Sequence, residues 1–207
     1  MSALHFVVGE PCNNGCRGCL WTRRLDFVEP VRLPLREDLS GRGVRLAGRE
    51  PTLRTDLAAV VRALRRAGAS AVEVETNGRM LAYPRYVRAL REAGVSRFAI
   101  KLFANDAAEW DAHTRVPGSY EQTLRGIEVT RRLAPRIQLA ATLVPRRDRG
   151  AGLHDLVECA RRLGFEQARV ELRLAKLDLS ALQPLASDVR ALRERPPLGM
   201  RVDVAAV

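Results

Sequence analysis

Short β-branched or apolar runs alternate with amphipathic segments from one end of this chain to the other, bounded by Gly or Pro. Such alternation restricts the fold sharply, because a strand, a crossing helix and a second strand join most readily as parallel neighbours with the helix packed on one face. The runs at residues 4–8, 44–47, 71–75, 97–102, 137–144 and 168–174 read as strands. Residues 53–66, 84–93, 120–133 and 152–163 read as helices, with a further one near 188–194. Between 19 and 43 only residues 35–39 have helical character, so the first covering helix is expected to be missing. Residues 200–204 alternate like a strand that either covers an open side or pairs with a partner. No linker, low-complexity tract or duplicated unit interrupts the 207 residues, and a hydrophobic content of 46% suffices for one core, so a single domain over 1–207 is expected.

The two faces of these strands differ. Arg45, Glu73, Glu75, Arg97, Lys101, Gln138, Thr142, Glu171 and Arg173 share one parity, while Val44, Leu46, Val72, Val74, Phe98, Ile100, Leu139, Leu143, Leu172 and Leu174 share the other. An open doubly wound sheet keeps its central strands apolar on both faces. Because side chains alternate along a strand, helices can cover the apolar set while the polar set points into a common lumen. The expected fold is therefore α/β, a partial (β/α)6 TIM-like barrel with a polar interior. The competing reading, charges on solvent-facing edge strands, requires nearly every strand to be an edge.

Directly after the first strand, Cys12-Asn13-Asn14-Gly15-Cys16-Arg17-Gly18-Cys19 places three thiols at C-x3-C-x2-C spacing. Parallel α/β barrels keep their chemistry at this end of the strands. Thiolates are soft donors suited to iron-sulfur clusters, and three of them leave one iron open to another ligand. A structural zinc site is the alternative and needs a fourth ligand, which His5 or Cys159 would have to bring from afar. Cys159 itself occupies an amphipathic helix, where a small buried residue is the ordinary occupant. Four cysteines so distributed make a poor disulfide framework, and no apolar run approaches the roughly 20 residues of a membrane span, so a reducing, cytoplasmic setting is expected. The net charge of +11 comes almost wholly from arginines spread along the helices, with Lys101 and Lys176 the only lysines. Without an aromatic single-strand platform or a groove-reading helix, nucleic acid is not the expected partner.

Beyond the cysteines, Gly48-Arg49-Glu50-Pro51-Thr52 resembles the Gly-Gly-Glu-Pro motif of the radical S-adenosylmethionine (radical SAM) enzymes, and Glu75-Thr76-Asn77-Gly78 resembles their third-strand terminus. His113 and the run Pro117-Gly118-Ser119-Tyr120-Glu121 are similar to the loop and helix after the fourth strand in peptide-modifying members. The resemblance implies that Cys12, Cys16 and Cys19 ligate a [4Fe-4S] cluster whose open iron chelates S-adenosylmethionine, and that reductive cleavage yields a 5′-deoxyadenosyl radical that abstracts hydrogen from substrate. It further implies an electron donor such as flavodoxin or ferredoxin and a peptide or small-molecule substrate. No cysteine follows Cys159, so auxiliary clusters have no visible ligands and a minimal core is expected.

Under this resemblance the cofactor-binding candidates are Gly48, Arg49, Glu50, Pro51, Asn77, Lys101 and Thr142. Gly48 allows close backbone approach. Glu50 either fixes its loop, meets the methionine ammonium group or caps the helix that follows. Asn77 is a turn former or a cofactor contact, and Lys101 either neutralises the methionine carboxylate or reaches solvent. Thr142 and Gln138 suit ribose hydroxyls or substrate, and Glu75, Glu171 and Arg173 either read substrate or form a buried polar network. Two positions depart from the family. Arg49 replaces its second glycine, and Gly18 replaces an aromatic residue often found before the third cysteine, leaving Trp21 as the nearest side chain to pack on adenine. The rival functions are a noncatalytic iron-sulfur or zinc-binding interaction module on the same fold, and a tRNA-modifying relative, which would bind RNA with steep salt dependence.

Overall fold

The computed structural model describes residues 4–9, 11–17, 19, 39–144, 152–172, 187–191, 194 and 201–206. Seven parallel strands pair in sequential order: β1 (Leu4–Gly9), β2 (Gly43–Gly48), β3 (Ala71–Thr76), β4 (Arg97–Leu102), β5 (Gln138–Leu143), β6 (Gln167–Leu172) and β7 (Arg201–Ala206). Among the described strands β7 does not return to β1, so the barrel is open and α/β, as the alternation predicts. The strand-like stretch near residue 200 extends the sheet along β6, with Gln167 beside Arg201 and Arg169 beside Asp203.

The covering helices are α1 (Leu57–Arg66), α2 (Pro84–Ala93), α3 (Ala107–Thr114), α4 (Ser119–Leu133) and α5 (Leu153–Arg162). Each amphipathic stripe faces the sheet: Leu57, Val61 and Leu64 on α1, Val87, Leu90 and Ala93 on α2, and Leu153, Leu156, Val157 and Ala160 on α5 are buried. They meet the apolar strand face, where Val44, Leu46, Val72, Val74, Phe98, Ile100 and Leu143 are all buried. Helix α1 starts later than its pattern predicts, because Glu50 caps a separate 3-10 turn at Pro51–Leu53. Helix α3 has no counterpart in the sequence reading. Its apolar stripe is weak, yet the Asp106 carboxylate accepts the Glu109 N–H at 2.9 Å, an N-cap legible as Asp-x-x-Glu.

The polar strand face is drawn into a curve. Arg169 of β6 reaches Glu73 of β3 at 3.2 Å although β4 and β5 lie between them. In a flat sheet those strands would stand about 14 Å apart. The ion pair therefore crosses a concave lumen, which is what a partial barrel requires. Residues 35–38 of the expected short helix, Trp21, Gly18 and Arg173 lie outside the described residues, as does the side chain of Glu171. No helix among the described residues is long and apolar enough to cross a membrane.

Candidate active site

The cysteine loop leaves β1 through a bulge between Val7 and Gly9 and lies over the carboxyl ends of the first strands. Cys12, Cys16 and Cys19 are half-buried and in no disulfide. A helix ends with carbonyls that have no intrahelical donor, and α3 presents two of them to this loop. Gly15 N–H donates to the Thr114 carbonyl at 2.8 Å and Arg17 N–H to the His113 carbonyl at 2.9 Å. On the opposite side Arg79, just after β3, donates to the Asn13 carbonyl, to Asn14 Oδ1 at 2.8 Å and to Gln122 Oε1 of α4 at 2.8 Å. Asn77 Nδ2 adds a bond to Asn13 Oδ1 at 2.8 Å. Two regions distant in sequence, the end of α3 and the turn after β3, thus hold the cysteine loop from Asn13 to Arg17, with Gln122 of α4 orienting Arg79.

Burial pushes the Cys12 thiol above its ordinary pKa, against a lowering by the Asn14 N–H, 3.4 Å from Sγ; Glu50 and Cys19 add to the rise and Arg49 opposes it. A soft cation that replaces the proton relieves this penalty, since metal binding and thiol deprotonation are coupled. Among the described residues no three His, Cys, Asp or Glu side chains converge to hold a single ion. The thiolates of a cubane bind separate irons and have no need to converge as zinc ligands do.

Glu50 joins β2 to β3. It is fully buried, and its carboxylate accepts from Thr52 Oγ1 at 2.5 Å, Thr76 Oγ1 at 2.6 Å, Asn77 N–H at 2.7 Å and Thr52 N–H at 3.2 Å. Burial raises its pKa despite these four donors. Glu50 therefore fixes the loop and caps the 3-10 turn, while the N-cap of the following helix, expected of Glu50, is Asp56. Tyr86 of α2 donates its hydroxyl to the Thr52 carbonyl at 2.7 Å and holds the same turn from outside. Gly48 is buried at φ +136°, which a side chain would resist. Arg49 follows without backbone strain, because the one described non-glycine residue at positive φ is Arg115. The Arg49 Nε is buried with no hydrogen-bond partner.

In the lumen the predicted parity becomes a network of ion pairs. Glu73 meets Arg45 at 3.2 Å, Arg97 at 3.3 Å and Arg169 at 3.2 Å, and Glu75 meets Arg45 and, at 2.6 Å, Lys101. Burial raises the Glu75 carboxyl, but Lys101 and Arg45 outweigh it and hold the group below its usual range. Gln138 accepts from Arg97 Nη2 at 2.6 Å, and Thr142 is buried with no partner on Oγ1. Of the residues expected at the site, Gly48, Arg49, Glu50, Pro51 and Asn77 lie with the cysteines at the strand ends. Lys101, Thr142, Glu75 and Gln138 lie on the lumen face below them. Lys101 is engaged with Glu75 and does not reach out to solvent. The sequence reading missed Arg79 and Arg169. The parity of Glu171 was enough to place Arg169, two residues earlier on the same strand, whereas Arg79 carries no local signal. Cys159 is buried and its thiol donates to the Ala104 carbonyl at 3.6 Å, and His113 stacks on Phe103 at 4.7 Å, so both serve packing.

Comparison with known proteins agrees with this arrangement. The family description Radical SAM superfamily matches residues 6–149. The chain is 27% identical to a probable GTP 3′,8-cyclase of Pyrobaculum aerophilum over 93% of its own length and 64% of that protein's. It is 37% identical to the AdoMet-dependent heme synthase of Methanosarcina barkeri over 49% of this chain and 28% of that one. Streptococcus suis SuiB bound to S-adenosylmethionine shares the fold with a TM-score of 0.67 at 17% identity, over 99% of this chain and 50% of SuiB. This chain thus spans less than two thirds of the length of each of these proteins. The match over residues 6–149, the cysteine loop above the parallel strands and the shared fold together establish that the chain belongs to the Radical SAM superfamily.

Proposed function

We propose that this chain is the catalytic core of a radical SAM enzyme, with Cys12, Cys16 and Cys19 holding a [4Fe-4S] cluster and the ends of β2 and β3 flanking S-adenosylmethionine. The observation that carries the reading is the cysteine loop itself. Three thiols outside any disulfide sit on a loop pinned by Arg79, Asn77 and the end of α3, beside the buried, unpartnered Nε of Arg49. This donor set fits a soft, multinuclear group with a polar ligand beside it. Bound together, the reduced cluster and S-adenosylmethionine supply a 5′-deoxyadenosyl radical that abstracts hydrogen from the substrate.

The protein's own contribution is placement and exclusion of water. Glu50 and Tyr86 hold the Gly48–Thr52 loop, whose main chain faces the cofactor, so that its carbonyls need no reorganisation when the ligand arrives. Asn77 couples that loop to the cysteines, which keeps cluster and nucleotide in register. The lumen face below, with Glu75, Lys101, Gln138 and Thr142, receives a peptide or small metabolite, and an external flavodoxin or ferredoxin supplies the electron. After anaerobic reconstitution, addition of dithionite and S-adenosylmethionine is expected to release 5′-deoxyadenosine, and C16A to abolish that release. A fully iron-loaded wild-type protein that releases none would overturn the reading in favour of a binding module.

A further inference from the structure

We infer that Arg115 is a positioning residue for the cluster: its strained backbone lays the side chain along the cysteine loop, where the guanidinium offsets the negative charge gained on reduction. The inference rests on the radical SAM reading for the presence of that cluster, and goes beyond it by assigning a residue that sets how readily the cluster is reduced.

Backbone strain is the first observation. Arg115 ends α3 at φ +58° and ψ +30°, the one described non-glycine residue at positive φ. Glycine is the usual occupant of such a helix end, because a Cβ there crowds the carbonyl that follows. Helix α2 ends in that way, on Gly94 at φ +100°. A side chain kept where glycine would cost less marks a position with another task.

The second observation is where that side chain lies. A Cβ built on Gly15 would stand 3.7 Å from both Cβ and Cδ of Arg115, so the arginine stem runs beside the loop between Cys12 and Cys16. Main-chain bonds fix this approach, since the Thr114 carbonyl accepts the Gly15 N–H and the His113 carbonyl accepts the Arg17 N–H. The nearest carboxylate along the helix is Asp111, one turn back. It is committed to the start of α4, where it accepts from Gly118 N–H at 2.5 Å, Ser119 Oγ at 2.8 Å and Tyr120 N–H at 3.0 Å. Among the described residues no carboxylate pairs with Arg115.

Arginine keeps its charge at any working pH. A cluster held by three thiolates is anionic and becomes more so on reduction, so a fixed cation beside its loop favours the reduced form. Arg115 is exposed, so salt screens the effect.

The test is a redox titration of the reconstituted protein, followed by electron paramagnetic resonance at low ionic strength, in wild type, R115M, R115K and R115G, with thermal melting of the same samples. R115M keeps the stem and the strain without the charge, R115K keeps the charge, and R115G removes all three. R115M and R115G are expected to weaken reduction about threefold, a midpoint shift of about −30 mV at about 59 mV per tenfold, and R115K to stay within about 1.5-fold of wild type. Near 1 M salt, where the Debye length falls to about 3 Å, the differences are expected to vanish. R115G is expected to melt about 2–4 °C above R115M, because glycine alone relieves the strain. A midpoint potential in R115M equal to that of wild type overturns the inference and leaves Arg115 a packing residue. An equal shift in R115K overturns the role of charge, and an R115G that melts no higher than R115M removes the strain on which the inference stands. Failure of the radical SAM reading looks different: the wild-type cluster titrates and R115M still shifts it, yet no 5′-deoxyadenosine is released.

Discussion

Glu75 shows how one residue holds the lumen together, since its carboxylate meets both Arg45 and Lys101 and only 9% of its side chain is exposed. Removing one partner of a buried ion pair leaves the other charge uncompensated, so E75Q is expected to lower the unfolding free energy at pH 7 by about 3–5 kcal/mol, measured by guanidinium denaturation. The pH dependence follows from its depressed pKa. In the window below the ordinary value of 4.5 the unfolded chain binds the proton first, so stability is present above that value and is lost as pH falls through the folded pKa. E75Q lacks this loss, and the gap between the two proteins is expected to narrow toward pH 3. At this scale parity told which strand residues face inward, because side chains alternate whatever surrounds the strand. It did not tell that Lys101 would be committed to Glu75, since that depends on how far β4 twists past β3.

Among the elements, α4 carries the tightest contact with the site. A Cβ on Gly126 would stand 2.3 Å from the Gly78 carbonyl oxygen and 3.1 Å from Leu81 Cβ, so only glycine lets α4 press on the turn that bears Arg79. G126A gains about 1 kcal/mol of helix propensity. It forces backbone away from backbone at a cost of about 1–3 kcal/mol, and main chain cannot rotate aside as a side chain can. The expected net result is a lower melting temperature together with faster loss of iron to a chelator, because Arg79 releases Asn13 and Asn14. Unchanged iron retention would show that the Arg79 contacts do not secure the loop. Helices α1, α2 and α5 were legible because packing on a sheet demands a stripe of apolar residues. Helix α3 was not, because it buries Trp110, His113 and Thr114, a mixed set, and its task is to offer its last carbonyls to the cysteine loop.

For the whole molecule, β7 determines how the sheet ends. It covers the β6 edge in parallel register from Gln167 to Leu172. Deleting residues 201–207 would move the open edge of the sheet from β7 onto β6, which carries the buried Ala168 and Val170, and so offer a more apolar edge to another chain. Self-association is expected, read as a rise in mass by light scattering, while cluster incorporation at the far side of the sheet persists. Aggregation-free behaviour of the truncated chain would show that β6 is covered by something else.

The order of the strands and of helices α1, α2, α4 and α5, the parity of the polar face and the cysteine spacing were readable in the sequence, because each depends on residues within a few positions of one another. The Arg169–Glu73 pair, the Arg79 latch and the unpartnered Thr142 hydroxyl were decided only by tertiary structure. Their partners lie on elements far apart in the chain, and the curvature of the sheet sets the distances between them.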